Sequence, residues 1–98
     1  MRYINVGFTT TTEDYDLLQD ANIQSALLEN GIDMSIEQSV RANLIVTVGA
    51  KTQIKFNEQT NYNDFLGDKV YISGCASNFS KIIIKGNGIA GLISIMLG

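Results

Sequence analysis

The stretch whose reading decides the fold is the last one, Lys81-Ile-Ile-Ile-Lys-Gly-Asn-Gly-Ile-Ala-Gly-Leu-Ile-Ser-Ile-Met-Leu-Gly98. It holds the densest apolar run of the chain and a turn signal, Asn87-Gly88. An Asn-Gly pair between two β-branched runs favours a type I′ turn, in which both central residues take φ > 0. Read as a two-residue hairpin, it sets Ile82 opposite Ile93, Ile84 opposite Gly91 and Ser80 opposite Ile95. The other face then pairs Ile83 with Leu92, Phe79 with Met96 and Lys85 with Ala90. A ribbon apolar on both faces needs cover on both, from the rest of the chain or from a partner.

Working outward, Arg2–Phe8 alternates Ile4, Val6 and Phe8 against Tyr3, Asn5 and Gly7, the pattern of a half-buried strand. After Thr9–Thr12 comes the one acidic cluster, Glu13, Asp14, Asp16 and Asp20, whose charges suit a helix N-terminus. Asp20–Asn30 reads as a short helix, with Asp20 as N-cap, Ile23, Ala26 and Leu27 on one face and Gly31 as the left-handed stop. Ile32, Met34 and Ile36 alternate with Asp33, Ser35 and Glu37, which predicts a strand. Val40 to Val48 continues that period as a second strand.

Gly49-Ala-Lys51 reads as a tight turn and Thr52–Phe56 as a strand with Ile54 and Phe56 inward. Residues 57–63 form a polar loop, Phe65 and Leu66 return to the core, Gly67-Asp68 turns, and Lys69–Ser73 is a further strand. Turn signals recur about every 8–12 residues and no proline interrupts them. The expected fold is mainly β, an antiparallel β-sandwich or small barrel with one short helix in the N-terminal half, in a single domain over residues 1–98.

Composition narrows the function. The chain has 98 residues and a net charge of −3, and its seven cations are scattered singly. No basic field draws in nucleic acid. With no histidine there is no imidazole base or His-rich metal site, and Cys75 stands alone without a disulfide or ligand partner. Gly86-Asn-Gly88-Ile-Ala-Gly91 spells G-x-G-x-x-G, yet too few residues follow it to build a crossover helix and a ribose ligand. The acidic cluster lacks calcium-loop spacing: Gln19 and Ser25 stand where a loop begun at Asp14 needs glycine and glutamate. These readings predict no catalytic residues, no cofactor, no metal and no enzyme activity. No run approaches the ~20 apolar residues of a membrane helix, so no membrane partner is expected.

The run from Leu44 to Leu97 reads LIVTVGAKTQIKF, a polar loop, DKVYIS, then SNFSKIIIKGNGIAGLISIML. It resembles the small all-β accessory proteins of tailed bacteriophage virions, the decoration, head-fibre and tail subunits, several of which end in a similar strand, Lys-Gly-x-Gly, strand element. The helix at Asp20–Asn30 departs from that pattern. The resemblance implies a non-enzymatic β-domain of the virion, present in host cytoplasm during assembly, that binds copies of itself and a capsid or tail protein. A trimer is the starting expectation. Phe79, Ile83, Leu92 and Met96 are the candidate subunit-facing residues, with Tyr62 as the aromatic of a contact loop. The alternative is a small acidic regulator or inhibitor that binds a host factor through a sheet edge or residues 57–63.

Overall fold

A computed structural model describes residues 2–48, 52–65, 69–72 and 77–97. The strands are β1 (Arg2–Thr9), β2 (Tyr15–Asp16), β3 (Val40–Val48), β4 (Thr52–Phe56), β5 (Asn63–Phe65), β6 (Lys69–Ile72), β7 (Ser77–Phe79), β8 (Ile82–Lys85) and β9 (Ala90–Leu97). One helix, α1 (Ala21–Glu29), follows a single 3-10 turn, Leu17–Gln19. The chain is mainly β with one short helix, as the sequence predicts. The first sheet, A, runs β1-β9-β3-β6, with β7 continuing the β6 side of β3; the second, B, runs β2-β8-β4-β5. All pairings are antiparallel.

The alternating apolar residues of both sheets meet in one core. Ile4, Phe8, Leu44, Val46, Ile93 and Ile95 come from sheet A, and Ile54, Phe56, Ile82 and Ile84 from sheet B. Leu17, Leu18, Ile23 and Leu27 from the helical segment join them, all fully buried. Helix α1 starts where Asp20 caps it: its carboxylate accepts from the N–H groups of Asn22 and Ile23 at 2.9 and 3.2 Å. It ends in a Schellman motif. Ile32 N–H donates to Leu27 C=O at 2.9 Å and Gly31 N–H to Leu28 C=O at 3.0 Å, with Gly31 at φ 86°.

Two expectations are corrected. The terminal ribbon is not a hairpin: β8 pairs with β2 and β4 in sheet B, while β9 lies between β1 and β3 in sheet A. Ile93 therefore stands opposite Val6 and Val46, and Ile82 opposite Phe56. Among the described residues Gly88 is at φ 76° but Asn87 is not in the left-handed region, so the turn is not type I′. Gly86-Asn-Gly-Ile89 is instead a corner that carries the chain between sheets, fastened to residues far away in sequence. Thr10, 1% exposed, donates its N–H and its hydroxyl to Ile89 C=O and accepts from Ile89 N–H, each at 2.9 Å. Gly86 N–H donates to Thr11 C=O at 2.7 Å. A Cβ on Gly86 would fall 2.6 Å from Thr10 Cβ, so the approach of Thr10 demands glycine there.

The second correction concerns residues 32–37, which form turns rather than a strand. Asp33 accepts from Ser35 N–H at 3.0 Å and Ser35 hydroxyl at 2.6 Å, and its own C=O accepts from Ile36 and Glu37 N–H. That Asx turn competes with extended backbone and wins. Ile32 and Met34 still pack on the core, but Ile36 is 75% exposed. The expected turns at 49–51 and 67–68, the core placement of Phe65 and Leu66, and Cys75 lie outside the described residues.

Candidate functional site

The five interaction candidates separate into three places. Phe79 is a core residue, buried against Phe56 with ring centroids 5.4 Å apart, so it is not available as a subunit-facing residue. Ile83 and Tyr62 lie on the outer side of sheet B. Leu92 and Met96 lie on the outer side of sheet A. The set shared a face only under the hairpin reading, which the inter-sheet corner removes.

On sheet B, strand alternation turns Gln53 and Lys55 of β4 and Ile83 and Lys85 of β8 outward. Tyr62 sits against the two lysines. The Lys55 ammonium is 4.5 Å and the Lys85 ammonium 5.7 Å from its ring centroid, cation–π distances. Its hydroxyl donates to Asp14, whose second oxygen lies 3.9 Å from Lys55 Nζ. That hydrogen bond holds the Tyr62 hydroxyl above the ordinary tyrosine pKa. Tyr15 is raised in the same way, chiefly by donating to Asp20 at 2.5 Å. The acidic cluster is thereby divided: Asp14 holds Tyr62, Asp16 accepts from Leu18 and Ile82 N–H, and Asp20 caps α1. Only the helix-capping role was legible in sequence, because the other partners are remote. Nearby, Asn57 at φ 54° ties the end of β4 to the β7–β8 connection by accepting from Ser80 N–H at 2.7 Å.

Sheet A presents something different. Across its outer side the register aligns Tyr3, Met96 and Asn43 in one row, Asn5, Ser94 and Ile45 in the next, and Gly7, Leu92 and Thr47 in a third. Tyr3 is 55% and Leu92 43% exposed; Met96 and Ile45 are half-buried. Ser94 Oγ donates to Asn5 Oδ1 at 2.5 Å, while Asn43 Oδ1 is buried with no hydrogen-bond partner among the described residues. No charged residue stands in these three rows. None of the chain's ten carboxylates lies in any sheet A strand, which carry only Arg2, Arg41 and Lys69 as charged residues. Tyr3, Ile45 and Asn43 were missed by the sequence reading. The alternation of β1 and β3 could have supplied them, had β9 been paired with those strands.

Elsewhere, two open surface grooves of about 300 and 350 Å³ flank the 33–41 segment, the first lined by Gln24, Leu28 and Met34, the second by Ile32, Glu37 and Arg41. Among the described residues no three His, Cys, Asp or Glu side chains cluster as metal ligands, and no helix is long and apolar enough to cross a membrane. No family model, curated protein or solved structure matches the chain.

Proposed function

We propose that this chain is a non-enzymatic assembly domain that works by burying the outer face of sheet A against further copies and against a larger structural surface. The observation that carries this reading is the uncharged row set around Leu92, Met96, Tyr3 and Ile45 on a chain of net charge −3. Interfaces are depleted of charge at their centre and enriched in tyrosine and methionine, with small polar groups supplying hydrogen bonds. The rows match that composition, with Asn5, Ser94 and Thr47 as the small polar groups among them. The resemblance of residues 44–97 to phage accessory subunits gives the assembly a setting: a virion, with a capsid or tail protein as the second partner.

Light scattering on matched lysine substitutions tests the choice of face. Leu92→Lys should lower the association state of the chain, while Ile83→Lys on sheet B should leave it unchanged. Loss of association in Ile83→Lys alone would move the contact surface to sheet B and overturn the reading.

A further inference from the structure

Every strand edge in the described structure is short except one. Sheet B ends in β2 and β5, of two and three residues, and the far side of β3 is shared by β6 and β7, of four and three. β1 is eight residues long and pairs only with β9 among the described residues. Its register with β9 is unbroken from Arg2–Leu97 to Thr9–Ala90, so no bulge twists the edge away. From Tyr3 to Thr9 it has no charge and no proline. Natural edges are blunted by a bulge, a charge, a proline or a covering element, because a bare edge templates pairing with another chain; helix α1 packs against β1, yet Tyr3, Asn5, Gly7 and Thr9 stay exposed.

The ladder geometry shows which groups are free. Thr10 N–H donates to Ile89 C=O just beyond the Thr9–Ala90 pair. Bonded pairs alternate along an antiparallel ladder, so Ile4, Val6 and Phe8 turn their backbone groups toward β9. Tyr3, Asn5, Gly7 and Thr9 turn theirs away from it. All four are exposed. For Gly7, which has no side chain, that exposure is of the backbone itself, and a Cβ built there would meet only Gly91 O, at 3.8 Å.

We propose that β1 is the seam of a two-fold dimer, in which the β1 strands of two copies pair antiparallel about Val6 and join two A sheets into one. Centred on Val6, the pairing sets Tyr3 opposite Thr9 and Asn5 opposite Gly7 of the second copy, satisfying all four outward residues with about eight hydrogen bonds. On the core side Ile4 meets Phe8, and Val6 meets its own equivalent. The one charged residue, Arg2, meets Thr10, so like charges never oppose. With small or polar residues opposite one another on the outer side and apolar residues opposite one another on the core side, the pairing favours a second copy as the occupant.

Area points the same way. The eight paired residues of β1 and of β9, with the five of β3 paired to β9, span roughly 330 Å² at ~3.3 Å per residue and ~4.8 Å per strand. That is less than half of the ~800 Å² per partner of a specific interface. Joining two copies at β1 doubles the continuous uncharged face to roughly 660 Å², close to that size. The seam rests on the assembly reading for its purpose, but on β1 alone for its geometry. A two-fold seam makes dimers the building block, in place of the trimer first expected.

Residue-resolved amide exchange on the full chain, with two variants, tests it. With rising protein concentration the amides of Tyr3, Asn5, Gly7 and Thr9 should slow at least tenfold. Those of Ile4, Val6 and Phe8 are protected throughout. Gly7→Pro removes only an outward N–H, and should abolish both the slowing and the two-chain species. Gly7→Lys restores a guard charge and should do the same if the proline variant does not fold. Fast exchange at the four outward amides in an associated sample overturns the seam, as does wild-type association in the lysine variant. Leu92→Lys separates the two readings. If it leaves a two-chain species that Gly7→Lys lacks, both stand. If it gives monomers whose parent never protected the outward amides, the face stands and the seam falls. If it leaves association untouched, the face falls and the seam is judged on its amides.

Discussion

The outer sides of the two sheets rest on the same core yet meet the solvent in opposite ways. On sheet B the polar groups answer one another: Lys55 and Lys85 lie against the Tyr62 ring, the Tyr62 hydroxyl goes to Asp14, and Asp14 returns to Lys55. Exposed pairs of this kind contribute little stability, but they leave the face satisfied in water. On sheet A the outer rows hold no charge, Tyr3 and Leu92 project, and Asn43 Oδ1 is buried without a partner in the described chain. The difference teaches that charge and uncharged surface are assigned to separate sheets. The carboxylates that give the chain its net charge are all kept off the strands of sheet A.

If both faces stand on one core, its two halves should matter equally. Ile84→Ala from sheet B and Ile95→Ala from sheet A, both 0% exposed, should each cost about 2–5 kcal/mol in urea unfolding. A cost under about 1 kcal/mol for one of them would mean that its sheet is not committed to the shared core. The next largest effect is at the corner joining the sheets. Gly86→Ala forces a methyl into Thr10 and should cost about 1–3 kcal/mol. Gly88→Ala meets no atom within 4 Å and bears only the strain of φ 76°, about 1 kcal/mol. The reverse order would restore the hairpin.

At alkaline pH beyond the ordinary tyrosine value of 10.0, the Tyr62 and Tyr15 contacts of sheet B should be lost. Hydrogen bonds to Asp14 and Asp20 raise the Tyr62 and Tyr15 pKa values above the ordinary 10.0. A raised folded-state pKa means the contribution is complete below the unfolded value and is lost as pH climbs through the folded one. An ultraviolet phenolate titration should show two late-ionising tyrosines, with Asp14→Asn and Asp20→Asn each bringing one back toward the ordinary value. Unchanged titration in Asp14→Asn would break the account of the sheet B cluster. The smallest effect on folding is at the faces themselves: Leu92→Lys and Ile83→Lys should shift monomer stability by less than about 0.5 kcal/mol. They should differ only in association.

Local patterns carried the sequence reading far where their partners were local. β1, α1 with its Asp20 cap and Gly31 stop, β3 and β4 stand where alternation and capping residues put them. The reading failed where a distant residue decides. Asn87-Gly88 marks a change of direction, but no local signal says whether the next strand returns to the same sheet. That choice is made by Thr10 and Thr11, which grip Gly86 and Ile89 from the end of β1. At 32–37 the period of two was real, and the Asp33–Ser35 turn outweighed it. The proposed contact surface was half legible: Leu92 and Met96 lie on the uncharged face, whereas Phe79 left the surface once β8 and β9 went to different sheets.

Sedimentation velocity of the unmodified chain beside Leu92→Lys, across the micromolar range, tests the central claim most directly. The expected result is a wild type that sediments as more than one copy and a variant that forms a smaller assembly at every concentration. A wild type that stays a single 10.7 kDa species throughout, indistinguishable from Leu92→Lys, would contradict it.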